Sequence, residues 1–326
     1  MNLLTRWSLC FACLLPCLAL PLQSRADAYP TKPVRLVVPF AAGGIVDVRA
    51  RLIASRLTSV LGQQVMVENR PGGGATIGAR AVANARPDGH TLLYGTFVDQ
   101  AAALALLRDV GYDPERAFVP IAALGRSCTA LLVHPSLGVN SASELVDLLR
   151  RNPRRFSYAT GGVGTPQHLL FERLKVVRKL EVNVVHYKGS GPAIPDLVAG
   201  HVQMGFDFPQ SSASYVRSGQ LRPLLTACGR RIDIYPDVPT AEEAGFPELN
   251  VKSWGGLFAP AGTPREIVDR LNREVNRIQM EPDVRSHLAY AGAEIPIMTP
   301  EEFADFVRKD RPTWVEIARQ AGIEPQ

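Results

Sequence analysis

The chain has 326 residues, 46 % of them hydrophobic and 21 % charged, which is enough apolar material for two domains with cores of their own. Its 36 lysines and arginines exceed its 31 acids, for a net charge of +5. The excess is mild and forms no run or stripe, which excludes a nucleic-acid-binding surface and a charged tail.

Arg6 precedes an apolar stretch from Trp7 to Leu22, short for a bilayer span, and Ala26-Asp27-Ala28 follows in A-x-A form. That order predicts a secretory signal peptide over residues 1–28, cleaved after Ala28. A retained anchor is the rival reading, and Pro16 before Cys17 speaks against a lipoprotein. No later stretch is apolar enough to span, so the mature chain is expected to be exported and not membrane-inserted. Cys10, Cys13 and Cys17 leave with the peptide, so their CxxC spacing carries no redox or metal meaning.

Residues 34–40 form an apolar strand that ends in Phe40-Ala41-Ala42-Gly43-Gly44. Val46, Ala50, Ile53, Leu57 and Val60 then recur at helical spacing, with Arg49, Arg51 and Arg56 placed on other faces. A strand at 65–68, a helix at 76–84 and a strand at 91–94 complete a β-α-β-α-β unit. Such a unit implies a parallel sheet covered on both faces. The pattern restarts after Gly125 with a strand at 130–133 and a capping box at Ser141-Ala142-Ser143-Glu144. Strands at 157–159, 182–187 and 203–208, each followed by a helix, and a segment at 221–227 come next. Capping boxes at 240–243, 263–266 and 299–302 predict a mostly helical tail, with one strand at 252–258. No flexible linker appears. The expected layout is therefore lobe one at 29–126, lobe two at 127–228 and a return to lobe one over 229–326, with crossing strands near 126–129 and 226–229.

Four glycine-rich turns stand where a strand gives way to a helix. They are Phe40 to Gly44, Pro71 to Thr76, Thr160 to Thr165 and Lys188 to Pro192. Glycine lets the backbone approach a ligand and supplies positive φ. The helix starts leave free N–H groups and the positive end of the macrodipole, which suit carboxylate or phosphate. Two turns in the first third and two near the middle suggest two half-sites gripping one small anion. The lobe-one wall is expected from Phe40, Ala41, Gly43, Gly44, Gly73 and Ala75, with Thr76 and Thr96. The lobe-two wall is expected from Gly162, Thr165, Tyr187, Ser190, Gly191 and Asp207. Asp47 is a further candidate, although an acid in a first helical turn also serves the dipole. Thr165 also suits a helix cap, Asp207 also suits a backbone clamp, and His168 also suits a packing role. No HExxH, GxSxG or Walker motif occurs, and the histidines lack metal-ligand spacing, so neither an enzyme nor a metal or cofactor is expected. A hydrolase built on Ser190, His168 and Asp207 would need an orientation that the sequence does not supply.

These residues resemble the tripartite tricarboxylate transporter solute receptors, the Bug-type extracytoplasmic binding proteins. The resemblance runs from Tyr29-Pro-Thr-Lys-Pro-Val-Arg-Leu-Val-Val-Pro-Phe-Ala-Ala-Gly-Gly44, with Asp47 and Arg51, to Glu68-Asn-Arg-Pro-Gly-Gly-Gly74. It continues through Tyr158-Ala159, Tyr187-Lys-Gly-Ser-Gly-Pro192, Asp237-Val-Pro-Thr240, Glu243-Ala-Gly245 and Gly256-Leu-Phe-Ala-Pro-Ala-Gly-Thr-Pro264. It implies an α/β, type II periplasmic-binding-protein Venus flytrap, with two doubly wound lobes joined by a two-strand hinge. It also implies a periplasmic receptor that hands a small carboxylate to membrane permease subunits, and a monomer is expected. In such receptors backbone amides and waters hold the carboxylate more than arginine does, which agrees with turns where only Arg70 and Lys188 bring positive side chains. Ile45-Val46, Thr160-Gly161-Gly162-Val163 and Phe97-Val-Asp-Gln100 depart from the family pattern where side chains would line the cleft. Ligand identity is therefore not carried over, and a sensory co-receptor remains the alternative output. Cys128 and Cys228 fall at the two expected crossings. They would pair if their Cα atoms came within about 7 Å, but two unpaired, half-buried thiols are the expectation.

Overall fold

The computed structural model describes residues 29–290, 293–323 and 325. The expected signal peptide lies outside the described residues. β1 (Val34–Val38) leads into α1 (Ile45–Leu61), and β2 (Val65–Asn69), α2 (Thr76–Ala83) and β3 (Thr91–Thr96) follow. A π-helical turn, Val98–Ala102, runs into the single-turn α3 (Ala103–Leu106), and the chain then extends as β4 (Phe118–Ser127). β5 (Ala130–Val133), α4 (Ala142–Arg151), β6 (Ser157–Thr160), α5 (Pro166–Arg178), β7 (Asn183–His186) and α6 (Ser190–Val198) come next. β8 (Met204–Asp207), α7 (Pro209–Arg217) and β9 (Arg222–Thr226) complete this part. The tail holds β10 (Ser253–Pro260), α8 (Arg265–Gln279), α9 (Pro282–Tyr290) and α10 (Pro300–Gln320).

Two five-stranded sheets result, in the orders β2-β1-β3-β10-β4 and β7-β6-β8-β5-β9. In the first, β1 lies parallel to β2 and β3, while β10 runs antiparallel to β3 and β4. The second repeats the plan, with β6 parallel to β7 and β8 and with β5 antiparallel to β8 and β9. Helices cover both sheets, and the two-lobe α/β architecture is the expected one. β4 is an addition to the predicted strands. Its Pro120 and Gly125 argue against a strand in isolation, but it takes an edge position, where a missing N–H is tolerated.

The lobe boundary needs a correction. The expected return to lobe one after residue 228 occurs instead near Val251–Ser253. Ile232 and Tyr235 pack in one apolar cluster of the second sheet, and Ala241, Phe246 and Leu249 pack in the other. Backbone bonds fix this segment beside β9: the Ala241 amide donates to Thr226 O at 2.7 Å and the Thr226 amide to Pro239 O at 2.9 Å. The segment also corrects one capping box. Thr240 and Glu243 make both reciprocal bonds, at 2.9 and 3.2 Å. One turn is all that forms before Gly245, at φ +82°, ends it and buried Phe246 anchors the chain. The 263–266 box, by contrast, is not made: the Thr263 hydroxyl donates to Pro260 O at 2.7 Å and α8 starts at Arg265. At Thr299 the box is complete.

The crossing strands lie side by side. Ala130 pairs with Thr226, and the Ala227 amide donates to Thr129 O at 2.7 Å. This register brings Cys128 and Cys228 to a Cα separation of 5.1 Å, and the structure joins them as a disulfide rather than as the expected free thiols. Ser253 pairs with Ser127, so β10 starts against the same crossing. α10 ties the lobes from behind: its Trp314 stacks on Phe97 at 3.7 Å, and Leu169 of α5 joins the same cluster.

Candidate functional site

The glycine turns stand beyond the carboxyl ends of the parallel strands, where open α/β sheets bind ligands. Part of their glycine is used for lobe-to-lobe contact. The Ala41 amide donates to Lys188 O at 2.8 Å. A Cβ on Gly191 would stand 2.2 Å from Ala42 O, and one on Gly74 3.2 Å from Val163 O. Gly43 faces Gly191 Cα at 3.8 Å, measured from the Cβ it lacks. The lobes meet at the rim, and Ala41, Gly43 and Gly191 serve that meeting.

Behind the rim lies an inner cavity of ≈ 60 Å³. One water needs about 10–15 Å³ on this measure, so the cavity takes roughly four to six water-sized groups. Of the sequence candidates, Phe40, Gly44, Thr96, Thr165 and Ser190 line it. An outer cavity of ≈ 310 Å³ takes Gly73, Ala75, Gly162 and Tyr187 as lining, and shares Phe40 and Thr165. The predicted residues are thus divided between two cavities. The inner one is the better candidate, because both lobes and the crossing strands wall it and it holds unpaired polar groups.

Several candidates already have partners. Asp47 accepts from the Gly43 amide at 3.0 Å, Arg51 Nε at 3.0 Å and Asn69 Nδ2 at 2.9 Å. Burial raises its pKa, but Arg51, Gly43 and Asn69 outweigh this and hold the carboxyl below its usual range. It clamps the turn. The Thr76 hydroxyl donates to Gly73 O, and Thr96 gives both its amide and its hydroxyl to Asp99 Oδ1. Thr165 caps α5, accepting from the His168 amide at 3.4 Å and donating to Gly162 O at 2.7 Å. His168 is a packing residue. Its Nδ1 accepts from the Gly164 amide at 3.2 Å, and burial, with His186 and Lys175 adding to it, holds its pKa at about 3. The Tyr187 hydroxyl donates to Asp196 at 2.6 Å.

Asp207 is buried, and burial pushes its pKa up to about 6 against the hydrogen bonds of Ser190, Ser211, Phe208 and Gln167. Gln167 Nε2 donates to Ser190 Oγ at 3.0 Å. The result is a relay from Gln167 through Ser190 to Asp207, in which Ser190 has no histidine partner. Asp207 holds the cavity wall from behind rather than lining the inner cavity.

The sequence reading missed the residue with the strongest charge. Expected on another face of α1 than the apolar stripe, Arg49 lies at i+4 from Ile45 and i−4 from Ile53, in the buried stripe. Only 7 % of it is exposed, and its Nε and Nη2 have no hydrogen-bond partner. Burial lowers its pKa, opposed by the Tyr94 hydroxyl; a guanidinium nevertheless stays protonated. Gln167, Ser127, Phe208 and Trp254 were also missed, and each lines the cavity. The i, i+4 spacing alone was enough to find Arg49. The others depend on long-range packing.

Comparisons with known proteins identify the family and the fold. Residues 49–323 match the family described as tripartite tricarboxylate transporter family receptor. The chain is 34 % identical to Protein BugT of Bordetella pertussis over 300 residues, covering 92 % of each chain. An R. palustris protein solved with adipate is 36 % identical, with a TM-score of 0.88 over 91 % of this chain and 100 % of that one. MatC from Rhodopseudomonas palustris, with bound malate, is 35 % identical, with a TM-score of 0.84 over 89 % of this chain and 100 % of that one.

Proposed function

Because this chain belongs to the tripartite tricarboxylate transporter receptor family, we propose that it is a periplasmic receptor that binds a small carboxylate in the inner cavity and delivers it to membrane permease subunits. The observation that carries this reading is the cavity walled by both lobes and by the strands that cross between them. The adipate and malate bound to its relatives support a carboxylate ligand. Neither relative fixes which carboxylate this chain takes.

The mature protein starts at Tyr29 after signal-peptide removal and works as a monomer. Ligand entry requires the lobes to part as rigid bodies about the paired crossings at 127–130 and 226–228 and about Ser253. A ligand that contacts both walls then shifts the equilibrium toward the closed form. Delivery follows if the permease docks on that form, so transport and sensing share the binding step and differ in the protein that reads it. Among the described residues no helix is long and apolar enough to cross a membrane.

A thermal-shift screen of small carboxylates tests the reading, with small-angle scattering as a second readout. Carboxylates are expected to raise the melting temperature and to compact the protein. If sugars or cationic peptides alone stabilised it, or if a bound ligand were turned over, the reading would fail. Uptake of the same acid by cells with and without the gene separates delivery from sensing.

A further inference from the structure

Among the described residues, Arg49 is a buried charge without a counter-ion. It is the sole charged side chain in the lining of the inner cavity among the described residues. Its electrostatic neighbour is the Tyr94 hydroxyl, and a neutral phenol does not balance a cation. Two of its donors, Nε and Nη2, are unpaired. An uncompensated buried ion is strongly destabilising, so this arrangement awaits an anion from outside the chain.

Two other polar atoms of the lining lack partners, Ser127 Oγ and Gln167 Oε1. The amide of Gln167 is oriented by its own relay. Ser190 has one hydroxyl proton, which Asp207 accepts, so Ser190 takes a hydrogen bond from Gln167 Nε2 and leaves Oε1 as a free acceptor. Arg49 and Ser127 come from lobe one and the crossing, and Gln167 comes from lobe two. The space between them is walled by Phe40, Val46, Phe97, Val98, Phe208 and Trp254.

We propose that the ligand is a compact hydroxy-monocarboxylate: its carboxylate pairs with Arg49 and accepts from Ser127 Oγ, its hydroxyl donates to Gln167 Oε1, and its short carbon body fills the apolar space between. This rests on the reading of the protein as a carboxylate receptor and makes it narrower. One cation matches one anion. A second carboxylate would meet aromatic walls or the Gln167 acceptor without a cation to receive it. A ligand ammonium would find no anion in the lining. The volume selects against rings, since a cavity of about 150 Å³ is what holds a benzene.

The test is calorimetry on the exported, processed protein with lactate and 3-hydroxybutyrate, set against close analogues. These are propionate and butyrate without the hydroxyl, lactamide without the charge, alanine with an added charge, and malate and adipate with a second carboxylate. A hydroxy-monocarboxylate is expected to bind tightest. Loss of the hydroxyl should weaken binding about tenfold, and loss of the carboxylate charge at least 100-fold. Arg49→Met should weaken the best ligand at least 100-fold while raising the melting temperature of the ligand-free protein, because it removes an unpaired buried ion; a merely structural arginine would lower that temperature. Arg49→Lys keeps the charge and should fall between the two. The proposal is overturned if malate, adipate or alanine binds more tightly than every hydroxy-monocarboxylate, or if Arg49→Met keeps wild-type affinity. Should Arg49→Met not fold, the analogue series on the wild type decides alone. If no carboxylate binds the wild type, the receptor reading itself fails and takes the proposal with it, an outcome distinct from binding that ignores Arg49.

Discussion

Gly191→Ala should weaken ligand binding without weakening either lobe. The methyl group it adds would stand 2.2 Å from Ala42 O, 3.3 Å from Ala42 C and 3.7 Å from Gly43 C. All three atoms belong to the turn between β1 and α1, on the opposite lobe. Real Cβ atoms do not come closer than 3.0 Å, so the closed rim has to open by roughly 0.8 Å or distort a backbone held by the bond from Ala41 to Lys188. Overpacking of this kind costs about 1–3 kcal/mol, which is an affinity loss of about 5- to 150-fold if the whole cost falls on the closed form. The open form meets no clash, and alanine is the better helix former in the first turn of α6. The ligand-free melting temperature should therefore hold or rise slightly. Calorimetric Kd values for wild type and variant, beside thermal melts of both without ligand, separate the two effects. An unchanged Kd would refute the idea that ligand binding requires this rim to close, and a lower ligand-free melting temperature would place the damage inside lobe two instead.

Replacing both Cys128 and Cys228 by alanine removes a cross-link with a sequence separation of 100 residues, and loop-closure entropy puts the loss at up to about 4.7 kcal/mol. Urea denaturation should show it, and a loss below about 1 kcal/mol would mean that the unfolded chain gains little freedom from the cut. Alkylation of the exported protein without reduction should leave both cysteines unlabelled. His168 should make stability fall with acid: the unfolded chain takes up a proton near pH 6.5 that the folded protein refuses down to about pH 3, so this contribution is intact above pH 6.5 and is lost as pH falls. At pH 5 the loss is about 2 kcal/mol. Asp99 and Asp207, both raised to about 6 by burial, act oppositely, their contributions being lost as pH rises through that value. His168→Gln isolates the histidine: on going from pH 7.5 to pH 5 the variant should fare better than the wild type by that amount, and equal changes in the two would refute it.

The fold was legible where local rules and burial agree. The strand at β1, the glycine turn and the helix after it follow from one apolar run and one periodic stripe. Residues 240–246 misled because a capping box is a local signal, while the pull of Phe246 into the second lobe is not. β4 was missed for the converse reason, since its Pro120 is tolerable only at an edge that pairing partners far along the chain define. At the site, glycine spacing marked the right turns. It did not separate glycines that face a cavity, such as Gly44 and Gly73, from Gly191, which faces the other lobe. Arg49 was legible too, because its position four residues after Ile45 and four before Ile53 puts it on the buried stripe whatever its charge.

The bond between Cys128 and Cys228 sits where the chain enters β5 and shortly after it leaves β9. Everything between, three parallel strands and four helices included, is therefore a covalent ring hung on an otherwise linear chain. A single protease cut inside the ring releases no fragment, and the pieces stay on one molecule through unfolding. Tension applied to the two ends of the protein runs from residue 128 to residue 228 through sulfur and bypasses the ring. About 340 Å of extended contour stays out of reach of the pull until a reductant opens it.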